Sequence, residues 1–297
     1  MHTDPHSDRN APRHEPYGLS EPDLLRFFGG IARQSEMHAM LVNEARFGLS
    51  RLLPLLSSIK CHPTMLEVGA GSCMLSAYLA SKGLNITAVE PLGTEFAFFA
   101  DLQNHVLDVC RTNGFPLRLI RTTGEQLDLP EQFDLAFTIN ALEHVRDPLL
   151  TIDNMYHSLK PGGILLAHCP NYTIPFDSHF NILLVTRSKL LNEGIYRSRI
   201  NRRRELWKEL NFIRYADVRR HLVRRGFPFA FDRSVMVDLV MRSLTDRVFA
   251  DRMPALVLAM SKLLRETGLV SRLRHIPPRL QTPMEVRITK PEACASG

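Results

Sequence analysis

Met65-Leu66-Glu67-Val68-Gly69-Ala70-Gly71 is an apolar run closing on an acid and two alternating glycines, and nineteen positions after Gly71 a second apolar run closes on Glu90. A helical pattern begins at Ser72, so the segment reads as strand, turn, helix, strand. In an open α/β sheet the tips of two such strands lie side by side at the carboxyl edge, where nucleoside-type ligands bind. Glycines let the main chain approach a ligand, and a carboxylate at the second tip can accept hydrogen bonds from ribose hydroxyls. By itself the stretch admits a nicotinamide enzyme, another nucleoside ligand, or a tight turn without a ligand. Position 74 is Met where a dinucleotide fingerprint carries its third glycine. A pyrophosphate needs that glycine-cleared helix start, whereas a ligand without one does not.

The flanking chain continues the alternation. Strands are expected over 65–68, 86–90, 117–120, 133–139 and 163–169, with helices over 72–81, 95–112 and 148–159. That order implies a parallel sheet with helices on both faces. Upstream, Leu24, Leu25 and Phe28, then Met40, Leu41, Ala45, Leu49 and Leu52, recur at helical spacing, interrupted at Gly29-Gly30. Downstream, 171–211 is a connection too long for a turn, and such loops are usually functional or mobile. A helix over 215–225, a strand over 227–231, an Arg-studded helical stretch over 235–273 and a strand over 284–288 follow. In the helical stretch, Met236, Leu239, Val240, Leu244 and Val248 form one stripe, and Leu256, Met260, Leu263 and Leu264 a second. Packing on the sheet or the N-terminal helices is the plain reading of both; a lid or a membrane-surface contact is the functional one.

The chain has 297 residues, 44% hydrophobic and 23% charged, which suits a globular protein of one large domain with extensions. No run approaches the roughly eighteen apolar residues of a membrane span. Residues 1–20, rich in His, Pro, Asp and Arg, have no apolar core of a signal peptide and are expected to be a disordered tail with solvated histidines. The five cysteines are dispersed without a Cys-x-x-Cys pair, which points to reduced thiols in the cytoplasm, and no metal site is expected.

Three further stretches decide between ligands: Phe133-Asp134-Leu135-Ala136-Phe137, Asn140-Ala141-Leu142-Glu143-His144-Val145-Arg146-Asp147-Pro148, and Leu159-Lys160-Pro161-Gly162-Gly163. With the opening stretch they stand in the order and at the spacing of a known family. From Met65 to about Pro170 the chain resembles class I S-adenosylmethionine-dependent methyltransferases, in particular the group that includes the ubiquinone-biosynthesis O-methyltransferases. The resemblance implies an α/β, Rossmann-like, doubly wound and mostly parallel seven-stranded sheet, with N-terminal helices and a helical insertion before the last strand. Together with the composition and periodicity of the flanking chain, the expected organisation is a tail over 1–20, a helical extension over 21–59, a methyltransferase domain over 60–290 with insertions 171–211 and 234–276, and a second tail over 291–297.

The resemblance also implies S-adenosylmethionine as cofactor. Glu67 and the Gly69, Ala70 and Gly71 backbone would face its methionine part, Glu90 its ribose, and Thr123, Gly124 and Glu125 its adenine, with Asn140 closing the site. Many relatives carry Asp where Thr123 stands, and the family's usual third glycine is here Cys73, read as a small packing residue. Pro161-Gly162-Gly163 reads as a structural turn. Methyl transfer chiefly requires holding the acceptor in line, with a base only for a hydroxyl or protonated amine. His144, Asp177 and His179 are the candidates for that base, and Asn171-Tyr172 for lining the acceptor pocket. Methyltransferases of base amines and glutamine amides carry Asn/Asp-Pro-Pro-Tyr/Phe after the fourth strand; Asn140-Ala141-Leu142-Glu143 lacks it.

Between positions 187 and 225, thirteen Lys or Arg face four Asp or Glu, a net of +9, so the other residues carry 6 − 9 = −3. Arg197, Arg199, Arg202, Arg203, Arg204 and Lys208 surround Trp207. The segment reads either as a site for an anionic acceptor or surface or as solvated helix faces. The leading expectation is a cytoplasmic methyltransferase acting on an oxygen of a small-molecule or lipid/glycan-linked acceptor, with peripheral membrane contact open and the oligomeric state undetermined. The alternatives are an RNA methyltransferase using the basic segment and a non-catalytic partner-binding protein on the same fold.

Overall fold

The structure is a computed structural model, and it describes residues 16–29, 36–59, 62–91, 97–186, 188–251 and 253–292. Most of the expected N-terminal tail, the Gly30 half of the Gly29-Gly30 break, and Cys61 and Cys294 lie outside the described residues.

Two helices, α1 (Glu21–Gly29) and α2 (Glu36–Leu56), precede the sheet. Next come β1 (Thr64–Val68), α3 (Met74–Ser81), β2 (Asn85–Val89), α4 (Ala97–Asn113), β3 (Leu117–Ile120), β4 (Phe133–Ile139), α5 (Pro148–Ser158) and β5 (Leu159–Cys169). The connection after β5 holds a ribbon of β6 (Phe176–Asp177) and β7 (Ile182–Leu183), then α6 (Lys189–Ile200) and α7 (Arg204–Glu209). The chain continues through α8 (Tyr215–Arg225), β8 (Phe229–Phe231), α9 (Val235–Thr245), α10 (Arg247–Ala250), α11 (Ala255–Glu266) and β9 (Met284–Thr289).

The seven strands of the main sheet lie in the order β3-β2-β1-β4-β5-β9-β8. Strands β1 to β5 pair in parallel, and β9 pairs antiparallel with both β5 and β8. The doubly wound, mostly parallel sheet expected from the sequence is therefore present. Alternate residues feed opposite faces. Met65 joins a core with Leu49, Leu52, Tyr78 and Phe137, and Leu66 joins one with Ile152, Leu222 and Ile288.

Four expectations need correction. Strand β5 begins at Leu159, and Pro161-Gly162-Gly163 is a shift of register inside it rather than a turn before it, since Leu159 still pairs with Phe133. Helix α3 begins at Met74, because Cys73 sits in the left-handed region at φ 58°. The 171–211 connection is built rather than loose: Phe180, Ile182, Ile200, Trp207 and Leu210 form a small core of their own. The 235–273 stretch is broken into separate helices, with Asp246 capping the amide of Phe249 at the first break. Its first stripe is also displaced: Val235, Val237 and Val240 are buried while Val248 is exposed, and Leu256, Met260 and Leu263 of the second are exposed.

Polar contacts tie α2 to that helical insertion and to β9. Arg51 reaches Glu285 at 2.6 and 2.8 Å, Asp238 at 2.5 Å and Asp232 at 2.7 Å. Asn43 donates to both oxygens of Asp246 at 2.8 and 2.7 Å. The N-terminal helices and the late insertion thus flank one edge of the sheet, next to His168 at the end of β5, which meets Glu285 at 3.1 Å.

Candidate active site at the carboxyl edge of the sheet

The turn after β1 is shaped by two glycines with positive φ, Gly69 at 80° and Gly71 at 51°. A Cβ on Gly69 would lie 2.3 Å from the Cβ of Ala141, so this position lets the loop after β4 come close. A Cβ on Gly71 would meet nothing within 4 Å, so the main chain there faces open space. The Gly71 amide donates to Glu90 Oε2 at 2.8 Å, and its carbonyl accepts from Gln103 Nε2 at 2.5 Å. Gln103, a buried residue of α4, carries no sequence signal that would have marked it.

Two buried carboxylates flank this turn. Glu67 accepts a short hydrogen bond from Ser76 in the first turns of α3. Burial pushes Glu67 up to about 8, against the Ser76 bond and with the help of the Glu90 charge. Glu90 is raised too, by burial, with the Gly71 amide and Arg121 opposing. An open glycine backbone between two buried acids fits a ligand that is cationic, carries hydroxyls and has no phosphate. Cys73 occupies a conformation that glycine adopts freely, which accounts for glycine being usual there in the resembling family. Its thiol is buried and pushed up by that burial, as a packing residue would be.

Thr123 precedes the 3₁₀ turn Gly124–Gln126, is half-buried, and makes no capping bond. Gly124 is buried against Thr151, while its carbonyl and that of Glu125 accept from Asn154 Nδ2 at 3.0 and 2.8 Å. The Glu125 side chain is already engaged by the Asp147 amide at 3.0 Å. Asn140 ends β4 with φ 52°; its amide donates to the His168 carbonyl at 2.8 Å and its side chain donates to Glu44 of α2 at 3.0 Å.

The loop after β4 leads from this turn to a second cluster. The amide of His144 donates to the Ala141 carbonyl at 2.9 Å, two residues beyond Ala141 stands Glu143, and His144 meets His179 of the insertion edge-on at 5.1 Å between ring centroids. Asn211 seats the insertion there, its side chain donating to the carbonyls of Leu142 and Val145 at 2.6 and 2.8 Å. His179 Nδ1 lies 3.2 Å from Asp177 Oδ2, which also accepts from the Tyr172 hydroxyl at 2.7 Å; Asp177 Oδ1 accepts from the Phe180 amide at 2.8 Å. All three sequence-proposed residues His144, Asp177 and His179 are thus brought together. The Asn171 side chain is engaged within the fold: it donates to the carbonyls of Arg279 and Gln281 and accepts from the amides of Thr173 and Tyr215.

Burial sets the electrostatics of the cluster. It pushes Glu143 up to about 7, opposed by His179, and neither carboxylate oxygen of Glu143 has a hydrogen-bond partner among the described residues. His144 is driven down to about 3 by burial and by His179, so it is a neutral imidazole at pH 7. His179 moves the other way: burial depresses it, but Asp177 and Glu143 outweigh that and raise it. Asp177 stays below its usual value because His179, Tyr172 and the Phe180 amide overcome its burial. Glu143, His144 and His179 each place one ligand-type atom within 4.8 Å of the others, a proximity that the 35-residue separation of the histidines hides. Two imidazoles and a carboxylate are also a donor set that can hold a divalent cation. A depression of about 420 Å³ lies at the opposite edge, lined by Thr64, Asn85, Pro116 and Gln132 where strands begin, away from both clusters.

A family model described as a methyltransferase domain matches residues 66–165. An uncharacterized protein of Mycobacterium tuberculosis is 31% identical over 254 residues, covering 83% of this chain and 85% of its own length. A ubiquinone biosynthesis O-methyltransferase of Rickettsia conorii is 24% identical over 151 residues, 49% of this chain and 50% of that relative. Among solved structures, phosphoethanolamine N-methyltransferase 2 of Haemonchus contortus in complex with S-adenosyl-L-methionine superposes with a TM-score of 0.47 at 15% identity, over 82% of this chain and 53% of that one. The glycine turn between two buried acids, the strand order and the matched domain agree: the chain belongs to the class I S-adenosylmethionine-dependent methyltransferases.

Proposed function

We propose that the protein transfers a methyl group to an oxygen of a small-molecule or lipid/glycan-linked acceptor, with His179 receiving the acceptor's proton. The supporting observation is the Asp177–His179 pair, because a hydroxyl acceptor needs a base and this pair is built like one. Asp177 is buried and held at both oxygens, so it fixes the His179 ring and stabilises the imidazolium that forms. The Nδ1 nitrogen faces Asp177, which leaves Nε2 to exchange the proton. His144, neutral and packed edge-on against His179, positions that ring.

Glu67, the Gly69–Gly71 backbone and Glu90 would hold the methionine and ribose parts of S-adenosylmethionine. Thr123 is the side chain offered to the adenine amino group, since Glu125 is committed to Asp147. When bound, the cofactor supplies a sulfonium-activated methyl group, and the chain's own task is to hold the acceptor in line and take its proton. The absent Asn/Asp-Pro-Pro-Tyr/Phe element after β4 disfavours base amines and glutamine amides as acceptors. The aromatic residues near the basic segment also disfavour RNA, because Trp207 is fully buried and offers no stacking face. We place the protein in the cytoplasm, where Cys73, Cys110 and Cys169, all buried and free, stay reduced.

Calorimetric titration with S-adenosylhomocysteine tests the cofactor site, and absence of binding sinks the reading. Incubating a cell extract with enzyme and label-bearing S-adenosylmethionine, then separating lipid, glycan, RNA and protein, tests the acceptor. Label in the lipid, glycan or small-molecule fraction supports the proposal; label in RNA alone replaces it.

A further inference from the structure

The insertion after β5 has a finished inner side. Its small core includes Trp207, whose Nε1 donates to Glu193 at 2.9 Å. Asn192 is fully buried, accepts from the Val185 amide at 3.1 Å, and donates to the carbonyls of Thr186 and Ser188 at 2.7 and 2.9 Å. A buried amide with three backbone partners holds the chain between β7 and α6 in one shape.

The aliphatic side chains of this stretch that stay out of that core are open to solvent. Leu183, Val185, Leu190, Leu191 and Ile195 are between 56% and 77% exposed. Single exposed aliphatic residues are ordinary, but five between positions 183 and 195, on β7, the following connection and α6, are not. Cations continue from them: Arg197 and Arg199 on α6, then Arg202, Arg203 and Arg204, all exposed. Of the acids nearby, Glu193 is occupied by Trp207 and Glu205 by Lys208 at 2.7 and 2.8 Å, and Glu209 ends α7. Arg197 and Arg202 make no ion pair among the described residues, while the Arg203 charge also reaches His179.

We propose that this face docks the protein on an anionic lipid bilayer. The aliphatic side chains enter the headgroup boundary, and the arginines pair with lipid phosphates while their stems lie along the apolar layer. Among the described residues no helix is long and apolar enough to cross a membrane, so the contact is peripheral. A nucleic acid would use the cations but not Leu190, Leu191 and Ile195, and it would need exposed aromatics, whereas Trp207 is inside. A second copy of the chain would set the same arginines against each other. The same insertion carries Asp177 and His179 and is seated by Asn211 on the loop of Glu143 and His144. Docking would therefore bring the acceptor side of the site next to the lipid surface. The proposal goes beyond the methyl-transfer reading and does not require it.

The test is co-sedimentation of the full chain with vesicles of phosphatidylcholine alone, or with about one-third phosphatidylglycerol, at about 0.1 M salt. The expected result is binding to the anionic vesicles and little to the neutral ones. Leu190→Ser with Leu191→Ser should lower partitioning about tenfold or more. Arg202→Glu with Arg203→Glu should lower it by at least roughly fivefold per cation. S-adenosylhomocysteine binding by both variants, measured alongside, shows that they remain folded. Three results would overturn the proposal: no binding of the unaltered protein to anionic vesicles, equal binding to neutral ones, or unchanged binding by the serine variant. In the last case, competition by single-stranded RNA would identify a polyanion site instead. Vesicle binding by a protein that fails to take S-adenosylhomocysteine would sink the methyl-transfer reading and leave this one standing.

Discussion

Glu90 Oε2 accepts the Gly71 amide at 2.8 Å, so the tip of the second strand and the glycine turn of the first are joined before any ligand arrives. One carboxylate oxygen is thereby fixed, and in the proposed cofactor site the other would accept from ribose hydroxyls. Glu90→Ala removes both functions. Losing hydrogen bonds to a charged acceptor should weaken S-adenosylhomocysteine binding about tenfold to a hundredfold. Glu90→Gln keeps an oxygen for the Gly71 amide and should recover part of the loss. Titration calorimetry reads both variants, and unaltered affinity in the alanine variant would remove Glu90 from the cofactor site.

Glu67 stands near neutrality for a reason that binding should reverse. Its folded value is pushed to about 8 against an ordinary 4.5, so between those values the folded state holds the extra proton. Stability from this group is full below about 4.5 and declines as pH rises through 8. A cationic ligand placed beside it favours the ionised form and should expel that proton. Near pH 7 the enthalpy of S-adenosylmethionine binding should therefore vary with the ionisation enthalpy of the buffer. Glu67→Gln should abolish the variation, and its persistence in that variant would mean that another group releases the proton.

The sheet was legible in the sequence because its strands alternate cleanly with helices and end in marked residues such as Glu67, Glu90 and Asn140. The start of β5 was hidden, since a register shift at 160–163 looks like a turn when only residue types are read. The insertion was hidden for another reason: β6 and β7 have two residues each, too short for any periodic signal, and their core is assembled from scattered positions. His144, Asp177 and His179 were suggested by residue type and place after strands four and five. Their mutual contact was not readable, because it depends on Asn211 seating the insertion on the 142–145 loop. Gln103 gave no signal at all, being one polar residue within the helix α4.

With His179 as the proposed base, the rate should depend on pH in a definite direction. A base works only when unprotonated, and His179 is raised above 6.5 by Asp177 and Glu143 despite its burial. The ratio kcat/KM should therefore climb with pH through a value above 6.5. Asp177→Asn removes the charge that raises it, so the midpoint should move to lower pH while the plateau rate drops. His179→Ala should lower kcat/KM by about a hundredfold to ten-thousandfold, the usual contribution of a general base, with S-adenosylhomocysteine affinity kept. Full activity in His179→Ala would exclude it as the base.

Arg51 is the residue on which the N-terminal helices, the late insertion and β9 converge, through Glu285, Asp238 and Asp232. Burial alone would raise Glu285, but His168 and Arg51 hold it down at about 2. Its stabilising contribution is therefore present above about 4.5 and is lost as pH falls toward 2. Arg51→Met leaves that carboxylate buried with only the His168 ring nitrogen, at 3.1 Å, beside it. Breaking one side of a buried pair costs about 3–5 kcal/mol, which urea denaturation should read as a lowered midpoint. Adding Glu285→Met to Arg51→Met removes the stranded charge and should recover much of the loss. A single variant as stable as the unaltered protein would show that Arg51 merely decorates this junction.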